Sequence, residues 1–417
     1  MSIIGPVFPL IAEDFKISIT WDAWTVTAYT AIYAVGTVLA GALGDRLGHR
    51  RLFAWGLVLF GLGSAVAALA PSFGVFLLGR ALQGGGAGAI FPNAQAAGIQ
   101  AFPPERRGTA LGIFGAVFGV AAIIGPNLGG FLGQYWGWPA IFWINVPLVL
   151  LVLLLVPSLP PTALRPRGVP DLWGGILFGL TLVALLLSLT AWDAYGAELL
   201  LAGLLLGLLF AWRQGHPGGK EPFLDLKAFA SLWGAMVVAG AILVGMDMAA
   251  AVFIPTLAQK ALGVGVLASG VSVMPAALTA AVFSALGGVL VDRRGSRFVL
   301  VAGLLSAALG ALLLVPPHLT WLRFIAAISL MGIGTAFTMG APLNRMALAL
   351  FPGDRSGEAL SLIAVFRTVG IAMGPVLFGL ALELKGFPGL FSLVAAISLL
   401  GALLFAGLKG EEPAPSP

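Results

Sequence analysis

Apolar residues run along this chain in long blocks, and polar residues are confined to short gaps between them. Dividing the pattern at proline, glycine and charge clusters separates thirteen spans. They lie near residues 23–40, 52–70, 73–98, 109–132, 139–157, 171–192, 197–212, 232–257, 265–290, 298–315, 320–342, 357–381 and 387–408. A helix rises about 1.5 Å per residue, so blocks of about eighteen residues can cross a hydrocarbon core about 30 Å thick. A shorter block, residues 1–12, precedes them and reaches only about 18 Å as a helix. The pattern predicts an all-α membrane protein of about fourteen transmembrane helices, the first of them cut short. Charged residues make up only 9% of the chain and apolar ones 59%. A soluble protein carries about a quarter charged, so charge cannot cover a globular surface here. Apolar spans continue to the end of the chain, which excludes reading its start as a cleaved secretory signal.

The basic residues set an orientation. If residues 41–51, GALGDRLGHRR, face the cytoplasm, then 16 of the 22 lysines and arginines fall on that side and four on the other. Both chain ends are then cytoplasmic, as an even number of spans requires. There is no cysteine, and His49, His216 and His318 are far apart in connectors, so neither thiol chemistry nor a metal centre is expected. No lysine is followed by serine or threonine, which removes the phosphate-binding loop of a primary pump. Neither a cofactor nor a nucleic-acid partner is expected, and no constellation suits an enzyme. The longest connector is too short for the soluble domain of a sensor.

Part of the pattern occurs twice. GALGDRLGHR returns at residues 288–297 as GVLVDRRGSR, matching at Gly41/Gly288, Leu43/Leu290, Asp45/Asp292, Arg46/Arg293, Gly48/Gly295 and Arg50/Arg297. Gly125-Pro126 pairs with Gly374-Pro375, and Pro9 with Pro255, at offsets of 246 to 249 residues. Agreement among the three argues for duplication. Eight spans separate equivalent helices, so the halves share one orientation, the parallel-repeat plan of a transporter class. The expected organisation is a six-helix half at 1–158, two inserted helices at 159–218, a second six-helix half at 219–409 and a tail at 410–417.

These motifs resemble the major facilitator superfamily, and its fourteen-helix drug/proton antiporter branch in particular. GALGDRLGHRR is similar to the family signature between helices 2 and 3. LGRALQGGGAGAIFPNAQA (residues 78–96) resembles the helix 4 signature, and GAVFGVAAIIGPNLGGFLG (residues 115–133) the antiporter signature of helix 5. WPAIFWINVP, PFLDLKAF and ASGVSVMPAAL are also typical of the branch. The resemblance implies two six-helix halves that rock about a central site, proton-coupled export of small molecules, and a latch formed by the repeated cytoplasmic motif. In that motif Gly41, Asp45, Arg46, Gly48 and Arg50 recur as Gly288, Asp292, Arg293, Gly295 and Arg297.

Individual residues carry further expectations. Gly115, Gly119, Gly125 and Gly129 are spaced for close helix approach, and Pro126 bends the same helix. Arg80 lies about 10 Å deep in its span, where a cation costs about 2.5–3.5 kcal/mol. It either snorkels to the interface or faces a wet cavity, and the resemblance assigns it a part in proton transfer. Asp247 is an isolated acid in AILVGMDMAAAVFIP. A carboxylate is costly to hold ionised away from water, which suits a proton-coupling site; an acid hydrogen-bonded within a helix interface is the plainer alternative. Asp247 and Arg80 are expected to communicate electrostatically. Arg367, a third intramembrane charge, is read as structural or gating. Tyr29, Tyr33, Gln83, Asn93 and Asn127 are polar spots that hold helices together or touch substrate.

The antiporter branch carries an acid about nine positions before the proline matching Pro9, a place that falls just before Met1. A start upstream, with an acid among the added residues, is therefore expected. The composition is that of a prokaryotic cell-membrane protein. The reading is a secondary transporter that exports hydrophobic or amphiphilic molecules against protons through the lipid bilayer. A nutrient or metabolite uniporter or symporter is the alternative, and the oligomeric state is left open.

Overall fold

The computed structural model describes residues 3–101, 107–159, 171–216, 223, 231–316, 318–339, 341–350 and 356–408. Among them there is no strand, and fourteen principal helices hold most of the residues. A 3-10 turn at Gly5–Val7 leads into α1, Phe8–Phe15. Then come α2 (Trp24–Leu47), α3 (His49–Ala68), α4 (Phe73–Ala101) and α5 (Arg107–Trp136). They are followed by α6 (Ala140–Ser158), α7 (Leu172–Thr190) and α8 (Trp192–Gly215). α9 covers Leu232–Leu262, with a 3-10 stretch at Ala250–Phe253 just before Pro255. α10 spans residues 266–294 and α11 residues 296–314, joined at Gly295. α12 is Trp321–Met339, and α13 (356–385) and α14 (387–407) meet at Gly386. Ten helical stretches among the described residues are long and apolar enough to cross a membrane.

The pattern places a polar connector at residues 41–51, but the helix runs on. Residues 41–47 form the last turns of α2, and α3 begins at His49. Gly48 alone makes the turn, at φ 94° and ψ 126°, a conformation that side chains with a Cβ rarely adopt. The second copy repeats the device at Gly295, φ 80°. Every described residue with positive φ falls into such a pair: Lys16 with Gly263 and Gly48 with Gly295, each 247 residues apart, and Gly137 with Gly386, 249 apart. Packing repeats in the same way. A Cβ on Gly56 would meet the Gly86 carbonyl at 2.9 Å, and one on Gly303 the Gly334 carbonyl at 3.2 Å.

The helices fall into two compact units. One comprises Met1–Pro9, Ala122–Gln134 and Leu226–Pro417, the other Leu10–Ala121 and Tyr135–Asp225. In the second unit α4 packs on α2 and α3, and α7 lies along α2. The aromatic cluster of Phe178, Phe210 and Phe223, an Asp171–Arg213 ion pair at 3.0 Å and a Trp24 to Thr190 hydrogen bond at 3.0 Å fix α7 and α8 in place. Outward faces are apolar: Leu148, Leu151 and Leu154 on α6 and Leu201, Leu205 and Leu208 on α8 are exposed. In water so large an apolar surface would drive association; in hydrocarbon it is the natural solvent-facing side.

Candidate functional site

Two buried polar centres stand out, one in each unit. The first is built by α4, whose glycines let it press on two neighbours. A Cβ at Gly88 would stand 2.8 Å from the Thr37 nitrogen of α2, and one at Gly63 of α3 would stand 2.6 Å from the Gln83 nitrogen. That closeness brings the Arg80 side chain to the backbone of α2, where Nε donates to the Thr25 carbonyl at 2.7 Å. Arg80 Nη1 donates to Gln83 Oε1 at 2.5 Å, and Gln83 Nε2 donates to Ser64 Oγ at 2.6 Å. Ser64 Oγ donates to the Phe60 carbonyl at 2.8 Å and also accepts from Asn145 Nδ2 at 3.4 Å. The guanidinium lies over the Tyr29 ring at 4.5 Å and the Phe142 ring at 5.6 Å, cation–π partners that replace water. One hydrogen-bonded line thus joins α2, α4, α3 and α6.

Arg80 is 3% exposed. Carbonyl, amide and aromatic rings enclose its guanidinium. Tyr29 and Tyr33 stack at 6.0 Å along α2. Gln83 belongs to the Arg80 line. Asn93 is fully buried, with Nδ2 donating to the Ala40 carbonyl at 3.2 Å and the Ala89 carbonyl at 2.8 Å. Its Oδ1 meets His49 Nδ1 at 2.8 Å. The sequence pattern places His49 in a connector, yet it is buried and ties the start of α3 to α4.

The second centre is Asp247 in α9, 4% exposed. Gly245 of α9 meets the Arg367 backbone of α13, and Gly374 of α13 lies 3.1 Å, measured from its Cβ position, from the Met246 carbonyl. This close approach shuts the carboxyl away from water. Its Oδ1 is 2.6 Å from Ser398 Oγ of α14, and that hydroxyl is also 2.9 Å from the Val394 carbonyl. A hydroxyl has one proton. With Asp247 ionised the serine donates to it; with Asp247 protonated the acid donates to the serine, which turns its own proton to Val394. Both states fit without moving a heavy atom. Ser398 carries no mark in the sequence that would single it out. Arg367 is half-buried, with Nη1 3.4 Å from the Met339 carbonyl. Asp247 belongs to one unit and Arg80 to the other, and each has partners of its own.

Motif residues are distributed around these centres. The surroundings of Gly41, Gly115 and Gly119 and the side chain of Asp45 lie outside what is described. Arg46 is exposed, and Arg50 Nη1 donates to the Leu159 carbonyl at 3.1 Å. In the second copy Asp292 pairs with Arg345 at 3.7 Å, Arg293 is exposed and Arg297 donates to the Ala406 carbonyl. Gly125 is half-buried and Pro126 buried inside α5, with the Pro126 carbonyl covered by Gly270 of α10. Gly129 faces the Ile3 backbone, and Asn127 is half-buried in the same helix. No group of histidine, aspartate and glutamate among the described residues could hold a metal ion.

A sequence model of the Major Facilitator Superfamily matches residues 1–342 and 236–417. The chain belongs to this superfamily. It is 32% identical over 393 residues to the MFS-type transporter YfiU of Bacillus subtilis, covering 90% of this chain and 75% of YfiU. It is 30% identical over 387 residues to the multidrug resistance protein Stp of Mycobacterium tuberculosis, covering 90% and 72%. The chain spans 56% of the length of a Mycobacterium tuberculosis relative, the MFS-type transporter Rv1877, and 83% of that of the riboflavin transporter RibZ of Clostridioides difficile. Among solved structures, a mutant of the peptide transporter POT in complex with sulfate superposes with a TM-score of 0.72 at 16% identity, over 97% of this chain and 90% of that one. The likeness to POT establishes the fold. This MFS chain is therefore a multi-pass membrane transporter of a prokaryotic cell membrane, and it moves small molecules. The relatives' names disagree on cargo, since multidrug resistance proteins stand beside a riboflavin transporter.

Proposed function

We propose that the chain is a drug/proton antiporter that exports hydrophobic or amphiphilic molecules by alternating access, with both chain ends cytoplasmic. The observation that carries this reading is Asp247, shut into an apolar helix interface and held by one hydroxyl that accommodates it with or without its proton. A carboxyl whose proton can be gained and lost without rearranging its own shell is a proton carrier; the surrounding helices supply the movement. Arg80, a buried cation without a carboxylate among its described partners, supplies fixed positive charge in the other unit. The relatives named as multidrug resistance proteins support the cargo class. The repeated cytoplasmic motif, with its single-glycine turns, is the latch at which the access states differ.

The test is an efflux panel in a pump-deficient host, repeated with an uncoupler. Antiport predicts that drug extrusion stops when the proton gradient collapses and that Asp247→Asn abolishes gradient-driven extrusion. Efflux indifferent to the uncoupler, or full coupled efflux by Asp247→Asn, rejects the reading. The relative named as a riboflavin transporter supports a second one, a metabolite uniporter or symporter, which predicts uptake of a polar metabolite and no dye efflux.

A further inference from the structure

The antiport reading leaves Asp22 unused. It lies in the short helix Ile19–Asp22 just before α2, and it has no exposure at all. Oδ1 accepts from the Thr25 hydroxyl at 3.0 Å. Oδ2 is buried and has no hydrogen-bond partner among the described residues. A bare carboxylate oxygen out of water is far costlier in the ionised acid than in the protonated one. Nor is this acid the cap of α2, whose N-cap is Ala23 with no side-chain cap bond.

Thr25 also faces Arg80. Its hydroxyl holds Asp22, and its carbonyl accepts from Arg80 Nε at 2.7 Å. A buried cation whose described partners include no carboxylate thus stands one threonine away from a buried acid with a vacant oxygen. The other ionisable groups nearby are few. α7 carries none, and α4 carries Arg80 alone. Those of α3 are His49, Arg50 and Arg51, at the end that meets Gly44 and Asn93. On α2 itself Tyr29 stands under Arg80, Tyr33 stacks on Tyr29, and Asp45 and Arg46 are at the far end. The preceding segment holds Glu13, Asp14 and Lys16, all exposed. Among the described residues, Arg80 is therefore the one charge linked to Asp22 through a shared buried residue.

We propose that Asp22 is a second proton-carrying carboxylate of this transporter, with Arg80 as its counter-charge through Thr25. A proton from water on one side bonds to Oδ2 and leaves to water on the other. When it has left, the carboxylate offsets the charge of Arg80. The proposal rests on the antiport reading and extends it to one proton site in each compact unit. The sites are not copies of each other: the residue 247 positions beyond Asp22 is Ser269, which cannot carry the charge.

Infrared pH-difference spectra of the full chain in lipid test the site without any cargo. The expected result is a titrating carboxyl band that Asp22→Asn removes and Asp22→Glu shifts; spectra unchanged in both variants overturn the proposal. Transport of ethidium into proteoliposomes, with the membrane potential clamped at zero, then reads the coupling. Each coupled proton raises the limiting gradient about tenfold per pH unit, so Asp22→Asn is expected to lower it about tenfold while Asp22→Glu keeps it. A limit equal to wild type in Asp22→Asn overturns the proposal and leaves antiport standing. A band that titrates at Asp22 in a wild type that builds no gradient rejects antiport instead, and with it the coupling role of Asp22. If Asp22→Asn does not fold, the band shift in Asp22→Glu decides alone.

Discussion

Arg80 shows how one side chain can organise four helices. Its planar fork donates to a backbone carbonyl on α2 and to Gln83 on its own helix while its face rests on Tyr29. Lysine keeps the charge but has no second, fixed donor direction. Arg80→Lys is expected to leave Thr25 or Gln83 unpaired, at about 1–3 kcal/mol for each buried group abandoned. A lowered thermal midpoint in detergent, together with lost efflux, is the expected outcome; wild-type stability would show that the fork is not needed. Ser398 offers the matching experiment in the other unit. Ser398→Ala removes the hydroxyl that serves Asp247 in both protonation states, so coupled efflux should fall severalfold. Ser398→Thr, which keeps the hydroxyl, should restore most of it. Efflux rates in the same host, normalised to protein level, check the pair.

Among helices, glycine placement decides how closely neighbours approach. Gly88 of α4 has the Thr37 nitrogen, the Gly36 carbonyl carbon and the Tyr33 oxygen all within 2.9 Å of where a Cβ would stand, whereas Gly74, near the start of the same helix, has nothing within 4 Å. Gly88→Val is expected to push α4 off α2 at a cost of about 1–3 kcal/mol. Gly74→Ala should be neutral or gain about 0.5–1 kcal/mol from helix propensity. Thermal unfolding of both variants separates a packing role from mere helix weakening. At this scale the sequence was most legible. The apolar blocks fall on the fourteen principal helices of the described residues, because the bilayer imposes a length and a polarity that show directly in the residue order. The turn at Gly48 was misplaced for a physical reason: a one-residue turn needs no polar loop, so the polarity of residues 41–47 belongs to a helix end. The centres were half legible. Arg80 and Asp247 announce themselves as charges inside apolar blocks. Asp22 fell just outside a block boundary, and Ser64, Thr25 and Ser398 are ordinary residues that only the crossing of helices brings to their partners.

For the whole molecule the two copies matter most where they differ. Positive-φ positions recur in register, so the backbone plan is shared, while the ionisable residues are not: the position of Asp22 corresponds to Ser269 in the repeat. One consequence concerns a polar clasp inside the first unit. Gln259 Nε2 donates to the Pro6 carbonyl at 2.8 Å and to Ser269 Oγ at 2.9 Å, joining the chain start to α9 and α10. Phe8 meets Phe253 edge-on at 5.5 Å beside it, and α5 contributes Gly130 against Val266 and Leu267. If access alternates, this clasp must open in the other state, because it buries segments that come from both sequence halves. Gln259→Ala removes both bonds and is expected to favour the opened state. Thr256 is 2% exposed, and the chain has no cysteine of its own, so Thr256→Cys gives a single reporter thiol. The thiol should react slowly with a membrane-impermeant maleimide in the Thr256→Cys protein and severalfold faster once Gln259→Ala is added. Equal rates in the two backgrounds would mean that apolar packing alone holds the clasp, and that Gln259 contributes only to local stability.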